Sequence, residues 1–131
     1  MNNDGLLRIT SLCAVALASL HISDDVVRGI EPTAGFAFLR GMLTLSVWLL
    51  AALLGVGRRW GYVLLILGGL LAMLMPVTHS LGRGVARFVE TPGALLFVWT
   101  LYGLALTGVA SVVLGARGLW LSRRPDAAAP P

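Results

Sequence analysis

The chain has no lysine, a single cysteine and few charged residues of either sign. Each shortage excludes something. With Cys13 alone, no intrachain disulfide can form, and a lone thiol in an apolar run reads as a small packed side chain. Charged residues make up 12% of the chain, about half the share in a soluble domain. That is too few to give every helix a water-facing side, which excludes an ordinary soluble fold. All ten basic residues are arginine. Together with the wealth of Ala, Gly, Leu and Val, this suggests a GC-rich bacterial genome. The arginines are scattered at the ends of apolar runs instead of gathered on one face, so the net charge of +4 is no nucleic-acid footprint. The sequence also lacks a nucleophile elbow, a phosphate-binding glycine loop and a zincin motif. No enzyme and no cofactor are expected. No internal repeat suggests a duplicated transporter.

What the chain has is four long apolar runs, at residues 6–22, 36–56, 60–77 and 94–115. A helix needs about 20 apolar residues to cross a bilayer core. Three runs meet that length and the first falls slightly short. The expected fold is all-α: an integral membrane four-helix bundle in which residues 1–121 form one domain and 122–131 a disordered tail. Arg8 ahead of a short apolar region and Ala16-Leu17-Ala18 also outline a signal peptide. The run stays apolar beyond that point, through Leu20 and Ile22, so an uncleaved first helix is expected.

The first helix should begin near Gly5 or Leu6 and extend to about Arg28, where Gly29 and Pro32 stop it. Gly57-Arg58-Arg59 is too short for anything but a tight hairpin between the second and third helices. Trp60 and Tyr62 suit a membrane interface. The third helix is expected to end between Pro76 and His79. Residues 80–90 read as a short interfacial helix, and Thr91-Pro92 as an N-cap followed by proline at the first helical position. Arg8, Arg58, Arg59, Arg117, Arg123 and Arg124 fall on one side of the membrane, and Arg28, Arg40, Arg83 and Arg87 on the other. The richer side is cytoplasmic by the positive-inside rule, which puts both termini in the cytoplasm of a bacterial inner membrane.

Helix association in lipid depends on small residues that let backbones approach. Gly103, Thr107, Ser111 and Gly115 recur at four-residue steps. They read as a helix-contact stripe, with self-association as the other use. The partners expected are the lipid bilayer and membrane proteins, not nucleic acid.

One constellation carries chemistry. His21, Asp24, Asp25 and Arg28 stand at i, i+3, i+4 and i+7, on one helical face. His79, Glu31, Glu90 and Arg40 fall at the same membrane side. Ionisable groups near a bilayer need partners and invite functional hypotheses. Three readings follow. The cluster is a charged helix end, with Arg28 and Arg40 neutralising Asp24 and Asp25. It is a metal site, with His21 and Asp25 at i, i+4 as half of it and His79 as the third ligand. Or it is a proton or small-solute site. The first reading makes the protein an accessory or scaffold acting through helix–helix contacts. The other two make it an ion, proton or small-ligand binding membrane protein with a His/Asp site at the extracytoplasmic face.

Overall fold

A computed structural model describes residues 2–29, 35–81 and 92–123. Every regular element among them is helical: α1 (Asn3–Val27), α2 (Phe36–Leu50, continued by a π-helical turn, Ala51–Gly55), α3 (Arg59–Leu81) and α4 (Ala94–Leu121). Four helices are long and apolar enough to cross a membrane. Large apolar residues such as Leu43, Leu67, Leu106 and Val113 stay exposed along them, as expected where the surrounding medium is lipid.

α1 starts earlier than the apolar pattern suggests, because the Asn2 side chain accepts a hydrogen bond from the Gly5 amide at 2.8 Å and caps it. It ends near the expected place, with Gly29 at φ 69°. The hairpin between α2 and α3 is tight. Gly57 takes φ 92°, Arg58 N–H donates to the Gly55 carbonyl at 2.9 Å, and a Cβ at Gly61 would collide with the Gly55 backbone.

α4 is the centre of the molecule and packs on both α1 and α3. Its buried positions include Phe97, Leu101, Leu104, Gly108, Ser111, Gly115 and Gly118. These alternate steps of four and three, the 3.5-residue period of helices that wrap around one another. α1 repeats the pattern with Leu7, Ser11, Ala14, Ala18, His21 and Asp25. The two seams meet where Ser11 Oγ lies 3.4 Å from Ser111 Oγ. Against α3 the approach is closer still: a Cβ at Gly108 would sit 2.6 Å from the Gly69 carbonyl oxygen.

The expected stripe at steps of four is therefore divided. A step of four residues turns about 400°, drifting about 40° each time. Gly103 ends up under Leu17 of α1, Gly115 against Ile66 of α3, and the Thr107 hydroxyl bonds the Gly103 carbonyl of its own helix. Gly108 and Gly118, which the fixed step skips, make the closer contacts.

α2 sits differently. It rests on α1 and α3 through its C-terminal part, where Trp48, Ala51, Ala52 and Gly55 are buried. No described side chain from Phe36 to Val47 is buried. That half of α2 stands off from the bundle.

Other expectations change. α3 runs through Pro76 to Leu81, two residues past the expected range, while its membrane-length apolar span ends at His79 as expected. A proline inside a membrane helix is tolerated when neighbours satisfy the freed backbone groups. α4 begins at Ala94 behind Gly93 at φ 85°, so Pro92 precedes the helix instead of opening it. It also continues past Gly115 to Leu121. Cys13 faces outward instead of packing inside. Tyr62 is buried in the bundle, with its hydroxyl donating to Asp4 Oδ1 at 2.8 Å. Thr91, Glu31, Glu90, Arg83 and Arg87, the interfacial helix beyond Leu81, and the tail from Arg124 onward lie outside the described residues.

Candidate metal centre

The helices alternate in direction, so the C-terminal ends of α1 and α3 and the N-terminal ends of α2 and α4 share one end of the bundle. His21 and Asp25 arrive there as the last two positions of the α1 seam. One is 1% and the other 4% exposed. His79 arrives from α3, two residues before that helix ends.

The three side chains converge. His21 Nε2 lies 3.4 Å from His79 Nε2, and Asp25 Oδ2 lies 3.6 Å from the first and 3.7 Å from the second. Two ligands each about 2 Å from a tetrahedral ion stand about 3.4 Å apart, so the triangle has the size of three corners of such a site. Among the described residues these three make a group able to hold a metal ion.

The second ring nitrogen of each histidine is tied. His79 Nδ1 is 2.9 Å from the Met75 carbonyl oxygen, which can only accept, so Nδ1 carries the proton. His21 Nδ1 is 3.0 Å from Thr100 Oγ1, whose own proton goes to the Phe97 carbonyl at 3.0 Å. With that proton given to the Phe97 carbonyl, Thr100 is the acceptor and His21 donates from Nδ1. In their neutral forms both imidazoles then turn a bare Nε2 lone pair into the space they share with the carboxylate. Among the described residues, the neutral imidazoles and the carboxylate then face one another as acceptors. Metal-bound histidines have this second shell, with the far N–H given to a carbonyl or another acceptor to set the tautomer.

Asp25 adds two observations. Its Oδ1 is buried without a hydrogen-bond partner, and a buried carboxylate needs a compensating cation. Arg28 is not that cation. Its Nε donates to Asp24 at 2.7 Å, its Nη2 to the Pro92 carbonyl at 3.2 Å, and its guanidinium lies 5.9 Å from the Phe97 ring centre. The Asp24–Arg28 pair ties α1 to the start of α4 and leaves Asp25 to the two imidazoles. Arg40 is exposed and forms no ion pair among the described residues; it lines a cavity with the three candidate ligands.

Phe97 closes the site from α4. It is fully buried, and its ring centre lies 5.2 Å from that of His21 and 5.6 Å from that of His79. Neither Phe97 nor Thr100 emerges from sequence reasoning. A hydroxyl and an aromatic within two turns of the start of an apolar helix are ordinary membrane residues, and only the crossing of α1 and α4 gives them this role. The continuation of the four-three spacing through His21 and Asp25 was the one legible sign that these polar residues point inward.

No protein-family model, no curated protein and no solved structure matches this chain. The chemistry is therefore argued from the residues themselves. Two imidazoles and a carboxylate suit zinc and the neighbouring divalent transition ions. Three protein ligands leave at least one coordination position open, as in catalytic and ligand-binding centres and unlike closed structural ones.

Proposed function

We propose that this protein is a multi-pass membrane protein that binds a divalent transition-metal ion through His21, Asp25 and His79. One observation carries the reading: Nε2 of both histidines and the Asp25 carboxylate converge within 3.7 Å, while each Nδ1 is held by an acceptor. A helix end that merely displays charge at the surface gives no reason for two imidazoles to face each other. It gives none for a carboxylate to be buried beside them. The accessory or scaffold role has no comparable feature behind it.

The arginine distribution supports a bacterial inner-membrane location with both termini in the cytoplasm. Arg8, Arg58, Arg59, Arg117 and Arg123 lie at one end of the bundle, and Arg28 and Arg40 at the end that holds the site. The metal centre then belongs to the extracytoplasmic side. A reporter fused after Arg124 is expected to behave as cytoplasmic, and one inserted at Gly84 as extracytoplasmic; the opposite pattern moves the site to the inner face.

The decisive test is metal analysis of the purified full chain after equilibration with zinc and removal of excess ion. One zinc per chain is expected for the wild type, and none for His21→Ala, His79→Ala or Asp25→Asn. Equal zinc in the wild type and all three variants removes the reading, as does a wild type that takes up none.

A further inference from the structure

The three candidate ligands are also the polar end of a cavity of about 720 Å³, within the range of small-molecule sites. It lies where the first half of α2 stands off from α1 and α3. Its composition changes along its length. At the end of the bundle that holds the metal centre it is lined by His21, Asp25, His79, Thr78 and Arg40. Toward the middle of the membrane its walls are Ala18, Leu45, Trp48, Leu71, Ala72 and Leu104.

We propose that this cavity binds a single-chain amphipathic acid. Its carboxylate takes the open coordination position of the metal, and its hydrocarbon tail extends toward Trp48 and Leu104. The inference rests on the metal-binding reading and names the ligand class of that same site. Charge selects the head. A divalent ion held by one carboxylate and two neutral imidazoles keeps a net charge of +1, and Arg40 adds a second positive charge to the same cavity. An anionic group is favoured there over a neutral or cationic one. The inner walls select the tail, since apart from Trp48 Nε1 and Thr44 they are apolar and complement a hydrocarbon chain. Access follows from α2, whose first half buries no described side chain between Phe36 and Val47.

The test uses the full chain in nonionic detergent loaded with Co(II), whose visible spectrum reports its ligands. Adding decanoate is expected to change the spectrum saturably, while decanol, with the same tail and no anion, leaves it unchanged. Arg40→Ala, at an exposed position, is expected to keep its Co(II) and to bind decanoate about fivefold more weakly, the scale of one partly solvated ion pair. Leu45→Trp fills the cavity and should weaken decanoate but not acetate, which needs no room for a tail. That contrast separates use of the cavity from simple partitioning into the micelle. A Co(II) spectrum indifferent to decanoate overturns the inference while leaving the metal site standing. So does equal decanoate affinity in wild type, Arg40→Ala and Leu45→Trp. Tighter competition by decyl phosphate assigns the head to a phosphate monoester and overturns the carboxylate. A wild type that binds no Co(II) removes both this inference and the metal reading.

Discussion

At the end of the bundle where α1 and α3 begin, the Tyr62 hydroxyl donates to Asp4, the Asn3 amide donates to the Leu114 carbonyl, and the Arg59 guanidinium donates to the Ser122 carbonyl. Donors meet acceptors there. The one buried oxygen left over, Asn3 Oδ1, belongs to a neutral amide. At the opposite end, where the same two helices finish, His21, Asp25 and His79 bring acceptors against acceptors, and the oxygen left over belongs to a carboxylate. Both ends tie α1, α3 and α4 together with similar residue types. The first arrangement pairs donors with acceptors of the chain itself, Asn3 Oδ1 apart. The second, with both imidazoles neutral, turns lone pairs toward one another, an arrangement suited to holding a cation. Buried polar groups that satisfy one another hold a fold, whereas convergent groups that do not are suited to binding something else.

The comparison breaks most sharply on a ligand deletion. His79→Ala should lower zinc affinity by about a hundredfold or more, since losing a ligand exceeds the effect of losing a second-shell partner, while Tyr62→Phe leaves zinc binding untouched. Isothermal titration with both variants measures this, and equal affinities would erase the distinction between the two ends. Next in size is packing between them. Gly108→Leu must push the Gly69 backbone away and should destabilise the protein by about 1–3 kcal/mol, the usual scale of overpacking. Gly41→Leu, where a Cβ meets nothing within 4 Å, should cost almost nothing. Thermal unfolding in detergent compares the pair, and a mild Gly108→Leu would show that α3 and α4 are not closely packed.

Thr100→Val sharpens the contrast further. It removes the acceptor that orients His21 and should weaken zinc by about tenfold, the low end of second-shell effects. At the closed end, Tyr62→Phe should cost about 1 kcal/mol of stability, because Asp4 is partly exposed and water takes the place of the hydroxyl. The smallest effect on zinc belongs to Arg28→Ala. Its pair with Asp24 is largely buried, at 11% and 13% exposure, and it also holds the Pro92 carbonyl, so unfolding should shift to lower temperature while zinc affinity holds. A large loss of zinc in this variant would mean that Arg28 compensates Asp25 after all.

Much of the architecture was legible in the chain. Apolar runs long enough to cross a bilayer dictate helices, because in lipid a helix satisfies its own backbone. The glycine at residue 57 between two such runs allows only a tight hairpin. The i, i+3, i+4 spacing of His21, Asp24 and Asp25 by itself puts an imidazole and two carboxylates on one helical face. Local rules failed where a neighbour decides. α3 continues through Pro76 to two residues beyond the expected range, and Tyr62 turns inward, where its hydroxyl donates to Asp4 of another helix. A fixed four-residue stripe missed Gly108 because packed helices follow a 3.5-residue period. The i, i+4 spacing from His21 already set Asp25 apart from Asp24 as the candidate ligand, and the packed helices give Asp24 to Arg28 and bury Asp25 beside two histidines. The sequence alone determined that four helices form and which residue types gather at one end of them. Only tertiary structure decided that three of those residues share a single point, since separations of 58 residues along the chain, from His21 to His79, close only when the helices pack.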